Sequence, residues 1–356
     1  MDSNLRSPDR RGIAYALMAA TLFGANTPVA HKLLEYVSPV LMAGLLYVGS
    51  GLGLSIWQLV RPGHGTERAE ARLGLRDVPL LLAIVVGGGV IGPLLYMWGL
   101  ARTPASTSSL LLNLEGVFTA GLAWFVFREH FDRRVVLGLA AIIAGGVLLS
   151  WSGRPEAGVP WGSLAIAGAC AAWGLDNNLT RKISTADPVQ IAAIKGLAAG
   201  ATNVGFALAS GAAWPRAETM LAVGVLGFVC YGCSLVLFIL ALRHVGSART
   251  GAYISCAPFV GAVLSIVLLR ESVTASLAAA AALMLIGLWL YLTERHGHLH
   301  AHPAMSHDHL HEHDEHHRHE HEAGVSPAAR HAHEHTHEPL LHAHPHYPDI
   351  HHRHEH

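Results

Sequence analysis

The sequence predicts an all-α integral membrane protein with ten transmembrane helices, arranged as two inverted five-helix repeats. Apolar stretches of about 20 residues recur from Gly12 to Leu292, and each is long enough to cross a hydrocarbon core of about 30 Å as a helix. These stretches are apolar on every side, whereas helices of water-soluble proteins usually have a single apolar face. Short motifs in the first half of the chain also return in the second half, which indicates an internal duplication.

The C-terminal segment has a different composition from the rest of the chain. Residues 296–356 contain 23 of the 27 histidines, together with 10 acidic and 3 basic residues, so their net charge is −7 with histidine neutral. Residues 1–295 contain 21 basic and 15 acidic residues and have a net charge of +6. The near-zero net charge of the whole chain therefore combines a basic membrane body with an acidic, histidine-rich tail.

The ten spans follow one another with short connections. The first apolar run is longer than the core of a signal peptide and continues into a multi-span protein, so we expect it to be retained. We predict a cytoplasmic N-terminus at 1–11, a first repeat at 12–151, a second repeat at 159–293 and a disordered cytoplasmic tail at 294–356. The predicted spans are 12–31, 39–60, 78–100, 105–127, 135–151, 159–180, 188–211, 218–241, 248–269 and 274–293.

The distribution of lysine and arginine predicts the orientation, because basic loops tend to stay on the cytoplasmic side. With the N-terminus inside, fourteen Lys and Arg residues fall on inside segments and five on outside segments. An even number of spans then places both termini in the cytoplasm, at the inner or plasma membrane.

Two pairs of motifs define the repeat. Phe23-Gly24, followed by His31-Lys32, returns as Trp173-Gly174, followed by Arg181-Lys182, at an offset of 150 residues. Arg128-Glu129 returns as Arg270-Glu271 at an offset of 142 residues. Because each repeat has an odd number of spans, the copies have opposite orientations, which predicts a substrate site near the membrane midplane and alternating access.

These motifs resemble the drug/metabolite transporter superfamily, EamA type. The run Asn113-Leu-Glu-Gly-Val-Phe-Thr119 is similar to that family's fourth-helix motif, with Gly116 where proline is usual, and the second repeat keeps Pro258. The resemblance covers about residues 11–293 and implies a ten-helix secondary transporter, commonly an exporter of amino acids or other small metabolites. The tail is not part of the family's pattern.

Glu115 is the first candidate functional residue. It lies about ten residues into the fourth span, or about 15 Å deep at 1.5 Å per residue. A carboxylate at that depth is costly, so it is a functional hypothesis by default. We interpret it as a proton carrier; the alternative is a carboxyl permanently hydrogen-bonded to a neighbouring helix.

Asp176 and Lys195 lie at similar depths on consecutive antiparallel spans, which favours a buried ion pair. Recognition of a substrate carboxylate by Lys195 and snorkelling of Lys195 to the interface are the alternatives. Polar amides and aromatic rings inside other spans either line a cavity or join helices. The complete set of candidate coupling and cavity residues is Glu115, Asn113, Asn26, Asp176, Asn177, Lys195, Tyr96 and Tyr253.

The tail is the candidate metal-binding segment. Alternating His-x-His places imidazoles on one side of an extended chain, and imidazole suits zinc, nickel, cobalt and copper. A His-Glu-x-x-His match beginning at His333 is expected by chance in this composition, since the metalloprotease motif needs a helix. The candidate ligands are His298, His300, His302, His307, His309, His311, His313, His331, His333, His335, His337, His342, His344 and His346.

The sequence therefore predicts a non-enzymatic secondary active transporter that exports a small polar metabolite, needs no cofactor and has a metal-binding tail. An alternative is a divalent metal exporter supplied by the tail. An alternative of another class is a membrane-anchored metal buffer or sensor. Expected partners are the lipid bilayer, a small-molecule substrate and divalent metal ions; we expect no nucleic acid, and a homodimer is left open.

Overall fold

The computed structural model describes residues 10–60, 78–127, 133–151, 159–180 and 188–293, together with four tail segments. Between residues 10 and 293, every regular element in these ranges is helical. The helices are α1 (Arg10–Leu33), α2 (Pro39–Val60), α3 (Val78–Ile84), α4 (Gly92–Leu100), α5 (Ala105–Leu111), α6 (Leu114–Phe127), α7 (Arg133–Ser150), α8 (Trp161–Thr180), α9 (Pro188–Ala209), α10 (Ala217–Gly227), α11 (Ser234–Ile254), α12 (Ala257–Leu269) and α13 (Ala275–Leu292).

Nine helical segments in the described ranges are long and apolar enough to cross a membrane, and the predicted bounds of these spans agree with them within two residues. Four of these segments combine parts of two helices, and α11 contributes to two segments because a non-helical kink at Gly246 divides it. Helix α8 coincides with the predicted sixth span but is not among the nine. It is 20 residues long, and its second half contains Asp176, Asn177 and Asn178, which lower its hydropathy. Large apolar side chains such as Trp57, Phe125 and Leu221 point outward, as a surface facing lipid requires.

Four of the predicted continuous spans contain irregular turns. π-helical turns at Val85–Ile91 and Phe228–Cys233 join α3 to α4 and α10 to α11. Breaks at 112–113 and 255–256 separate α5 from α6 and α11 from α12. The two π turns start 143 residues apart, and so do the two breaks. This spacing is close to the 142-residue offset of the second pair of sequence motifs.

The two breaks have different local causes. Pro258 follows the second break and has no N–H to continue a helix. At the first break the side-chain amide of Asn113 donates to the carbonyl of Leu110 over 2.8 Å, and the backbone N–H of Asn113 donates to the same oxygen over 3.1 Å. A side chain that occupies a helix carbonyl is a recognised cause of a kink.

Small residues bring the helices close together. Helix α2 packs on α9, where Gly44 and Gly51 lie against the backbone of Val204 and Leu197. Helix α7 packs on α13, where Gly138 and Gly287 lie against each other's carbonyls. Close approach of small residues is the usual basis of helix association in membranes. The largest core cluster includes Leu41, Met42, Leu46, Tyr96, Met97, Leu100, Leu111, Ile166 and Cys170.

The described tail segments form two antiparallel ladders, β1 (Gly297–His302) with β4 (Leu340–Pro345) and β2 (Met305–His311) with β3 (His331–His337). The sequence predicts a disordered tail, whereas these four described segments are paired as strands. The physical basis is the two-residue alternation, which has the period of a β-strand. The other tail residues lie outside the described ranges.

Candidate functional site

An ion pair inside the helical bundle joins α8 to α9. Lys195 Nζ donates to Asp176 Oδ2, and the two side chains are 18% and 7% exposed. The Thr180 hydroxyl donates to Asp176 Oδ1 over 3.4 Å. The pair predicted from the sequence is therefore present, and Lys195 does not extend to the membrane surface. Because both charges are desolvated, each depends on the other for stability.

A second polar contact joins α8 to α6 one residue further along the chain. Asn177 Nδ2 donates to Glu115 Oε1 over 2.8 Å and to Thr119 Oγ1 over 3.4 Å. Asn178 Nδ2 donates to the carbonyl of Thr119 over 3.0 Å. Glu115 lies in the first turn of α6, where the positive end of the helix dipole favours a carboxylate. The break at 112–113 thus places the start of a half-helix, and this carboxylate, within the span.

The first turn of α6 is only partly enclosed by its neighbours. Glu115 is half-buried, and the next residue, Gly116, is exposed. A Cβ placed on Gly116 would meet no atom within 4 Å.

The first π turn supplies backbone carbonyls to the same region. The Gly88 carbonyl accepts hydrogen bonds from the Tyr47 hydroxyl at 3.1 Å and from Trp173 Nε1 at 3.0 Å. The Gly89 carbonyl accepts a bond from Asn203 Nδ2 at 3.2 Å. Gly88 also packs directly on Asp176, where a Cβ would overlap the carboxylate. π turns leave carbonyls without regular helical partners and often occur at functional sites.

An aromatic group lies beside this polar group. The Tyr231 ring contacts Phe23 and Tyr47, each with a centroid separation of 5.8 Å. Asn26 Nδ2 donates to the Tyr231 hydroxyl over 3.2 Å, while Asn26 Oδ1 is buried without a hydrogen-bond partner. A buried acceptor without a partner is costly, so a donor group of a bound solute would stabilise it.

Tyr96 links this aromatic group to α8. Its hydroxyl lies 2.7 Å from Thr27 Oγ1, and its ring lies 5.6 Å from the Trp173 ring. The structure therefore joins six of the predicted cavity residues in one continuous region across α1, α2, α4, α6, α8 and α9 (Glu115, Asn26, Asp176, Asn177, Lys195 and Tyr96).

Two predicted cavity residues do not join this region. Asn113 donates to its own helical turn and lies 3.9 Å from the Met284 sulfur, on the side of α13. Tyr253 is half-buried near the second break. Among the described side chains, no hydrogen bond or ring contact links Tyr253 to the polar group.

The structure also contains site residues that sequence reasoning missed, namely Tyr47, Trp173, Gly88 and Thr119. Tyr47 has a detectable signal, because a hydroxyl nine residues into an apolar span needs a hydrogen-bond partner. The run Gly87-Gly88-Gly89 is a signal for irregular backbone inside a span. Neither signal identifies the partner helix.

Metal-ligating residues are not clustered in the described part of the body. Within the described residues, no group of three or more His, Cys, Asp or Glu side chains could hold a metal ion. Cys230 is buried, Cys233 is half-buried and Cys256 is exposed. The side chains of the tail histidines lie outside the described residues, although the backbone register places His307 opposite His335 and His309 opposite His333.

One family model matches the membrane body of the chain in two separate places. The model of the EamA-like transporter family matches residues 10–151 and, separately, residues 160–293. An uncharacterized transporter of Methanothermobacter thermautotrophicus is 28% identical over 276 residues, which cover 73% of this chain and 80% of that protein. The uncharacterized inner membrane transporter YedA of Escherichia coli K12 is 25% identical over 270 residues, covering 73% of this chain and 83% of the relative.

Two further similarities are a relative that matches about half of the chain and a solved structure of low sequence identity. A probable amino-acid metabolite efflux pump of Salmonella typhimurium is 26% identical over 182 residues, which cover 49% of this chain and 54% of that protein. A solved structure, named only "Crystal structure of protein", has a TM-score of 0.57 and 21% identity, and covers 78% of this chain and 95% of its own. At that identity, the structural likeness concerns the fold alone.

Proposed function

The chain belongs to the EamA-like transporter family, and we propose that it is a secondary active transporter that exports a small polar metabolite such as an amino acid. The observation that supports this proposal is the charged group of Asp176, Lys195 and Glu115 inside the helical bundle. A similar relative is named as an amino-acid metabolite efflux pump. Ionisable groups within spans commonly mark a substrate or proton pathway.

The charges of this group favour proton coupling at Glu115. Lys195 balances Asp176, so the charge on Glu115 has no cation of its own among these three residues. The group is electrically neutral only when it holds one proton. Because charge is costly in low dielectric, binding of a cationic substrate group would favour release of that proton, and release of the substrate would favour its return.

The two ends of the region suit different parts of a metabolite. Lys195 would bind a substrate carboxylate by exchanging it for Asp176, and the Glu115 carboxylate would bind an ammonium group. Asn26 Oδ1 offers an additional acceptor. The rings of Phe23, Tyr47 and Tyr231 would contact the less polar part of the substrate.

We infer that the two matched halves are inverted repeats of five spans each, with both termini in the cytoplasm. The equivalent spacing of the π turns and of the helix breaks supports a common architecture for the halves. The excess of basic residues on one set of connections supports the orientation. Rocking of the halves around the charged group would then give alternating access.

We further propose that the tail binds zinc, nickel, cobalt or copper and modulates transport. The alternation of histidine supports this, as does the backbone register that sets His298 opposite His344 and His300 opposite His342. Opposed residues on antiparallel strands are about 4.5–5.5 Å apart at Cβ, within the reach of two imidazoles sharing one metal. Metal binding would cancel the negative charge of the tail and change its attraction to basic loops or anionic lipid.

Two alternatives keep the fold and change the role. In one, a divalent metal is the cargo and the tail collects it; in the other, the protein is a membrane-anchored metal buffer or sensor. Deleting the tail discriminates them: metabolite export should persist in the 1–295 chain, metal export should weaken, and metal buffering should vanish. We keep a homodimer as a proposal, and the described residues identify no surface for it.

The direct test of metabolite export uses proteoliposomes loaded with single radiolabelled amino acids under an imposed pH gradient. We expect at least one substrate to move faster than in protein-free vesicles and to collapse the gradient as it moves. If no amino acid moves while zinc or nickel does, the metal-export alternative replaces the proposal.

A further inference from the structure

A carboxylate caps a helix from a distant part of the chain at one end of the bundle. Glu271, in the connection between α12 and α13, accepts hydrogen bonds from the backbone N–H groups of Ala105 at 2.7 Å and Ser106 at 3.0 Å. These are the first two N–H groups of α5, which have no partner within their own helix. The residue before them, Pro104, provides no side-chain cap. The cap of α5 therefore comes from 166 residues away.

The backbone before Glu271 is arranged for this contact. Arg270 ends α12 with φ 56° and ψ 38°, and it is the one non-glycine residue with positive φ among the described residues. A left-handed conformation is unfavourable for an arginine and persists only where its surroundings maintain it. It turns the chain so that Glu271 leaves the axis of α12 and reaches α5.

A second contact makes α5 and α12 one packed unit. Ser109 Oγ donates to the carbonyl of Pro258 over 2.8 Å, and Gly261 packs closely on the same serine. Ser106, Ser108 and Ser109 of α5 are all at most 2% exposed. The first half of the fourth span is thus held to the second half of the chain at both of its ends.

The second half of the same span is held elsewhere. Beyond the break at 112–113, α6 packs on α8 and ties Glu115 to Asn177. The break therefore separates a segment fixed by Glu271 from a segment that contains Glu115. If α5 moved away from Glu271, the fourth span could bend at this break, and the contact between Glu115 and Asn177 would stay in place.

We propose that Glu271 is a positioning residue for transport: its carboxylate latches α5 to the connection between α12 and α13 and keeps that end of the bundle closed. Opening of that end requires release of the Ala105 and Ser106 N–H groups and a bend at 112–113. The proposal rests on the proposed transport function, because a latch has a role only if the bundle opens. With both termini cytoplasmic, the latched end faces outward.

Alkylation of a buried cysteine in α5 tests the latch without any substrate. Ser108→Cys is placed in a full-length background whose four native cysteines are replaced by alanine, and a membrane-impermeant maleimide is applied to one face of oriented vesicles at a time. Glu271→Gln loses the charge of the acceptor, so we expect labelling to be faster by about tenfold from the outer face and unchanged from the inner face. Glu218→Gln, a carboxylate in the first turn of α10, is the matched control and should label like the parent.

A second variant removes the donor in place of the acceptor. Ala105→Pro lacks one of the two N–H groups, and proline is tolerated in the first turn of a helix. It should increase outer-face labelling by itself, and adding Glu271→Gln should increase it little further, because both changes break the same contact.

The results distinguish a latch from a merely structural role of Glu271. They also test the latch independently of the proposed transport function. Unchanged labelling in both folded variants, or equal increases from the two faces, would overturn the latch. Faster labelling from the outer face alone would support the latch even if no amino acid is transported, in which case the proposed substrate is wrong and the latch stands. Faster labelling from the inner face alone would overturn it.

Discussion

Asn177 donates a 2.8 Å hydrogen bond to Glu115, and the preceding residue, Asp176, forms the ion pair with Lys195. Two adjacent residues of α8 therefore contact different helices. Asn177 binds the Glu115 carboxylate on α6, and the Asp176 carboxylate binds Lys195 on α9. Changes to Glu115, to the ion pair and to Gly88, which packs on Asp176, would each perturb one part of this arrangement.

Glu115→Gln should abolish transport driven by a pH gradient. Exchange of labelled for unlabelled substrate should stay measurable, with a weaker affinity because the amide lacks the negative charge that would bind an ammonium group. The amide keeps an oxygen that can accept the bond from Asn177 but cannot hold a proton for release. Both activities are measured in proteoliposomes, with folding followed by the thermal transition. Glu35→Gln, which removes an exposed carboxylate paired with Lys32, should preserve both activities. Normal gradient-driven transport by Glu115→Gln would rule out its coupling role.

Asp176→Asn and Lys195→Met should each reduce the free energy of unfolding by about 3–5 kcal/mol, because each leaves a desolvated charge unpaired. The double variant should regain part of that loss, since no unpaired charge remains. Unfolding in detergent by a denaturant series measures the four proteins of the cycle. Strictly additive losses would mean that the two side chains do not interact.

Gly88→Ala should impair transport through a steric effect on the ion pair. The added Cβ would overlap the Asp176 carboxylate, so either the first π turn or α8 must move. Gly87→Ala is a matched control in the same turn, since its Cβ would meet only the Ala172 carbonyl, at 4.0 Å. Substrate affinity and maximal rate should change for the first variant and stay near those of the parent for the second. Equal behaviour of the two would remove Gly88 from the site.

Zinc or nickel should bind the full-length protein at micromolar concentration and bind the 1–295 chain far more weakly, as measured by isothermal titration. The bound metal should be released on mild acidification, because protons compete for the same imidazole nitrogens. Independent imidazoles of pKa about 6.5 would cancel the −7 charge of the tail near pH 6.9, where about seven of 23 are protonated. Replacing His331, His333, His335 and His337 with asparagine should lower the stoichiometry.

The same titration, combined with transport, tests whether the tail regulates the body. If full-length and 1–295 proteins transport at equal rates with and without metal, the tail stores metal and does not modulate transport. A metal-dependent difference confined to the full-length chain would support modulation.

The all-α membrane fold and the family can be predicted from the sequence, because they depend on local apolar runs and short motifs. Apolar runs set the helix positions within two residues, since a span must satisfy its own backbone in hydrocarbon. The depth and charge of Asp176 and Lys195 favour their pairing, because an unpaired buried charge is costly, and the structure confirms the pair.

Which side chains share a site depends on the three-dimensional arrangement of the helices. Asn113 and Asn26 are both polar amides inside predicted spans, yet Asn113 donates to its own turn, whereas Asn26 contacts Tyr231 from α1. Tyr47 and Trp173 meet at the Gly88 carbonyl because a π turn exposes it, and Glu271 reaches α5 because Arg270 adopts a left-handed backbone. Such contacts depend on helix rotation and on local backbone irregularity, and periodicity in sequence specifies neither of them.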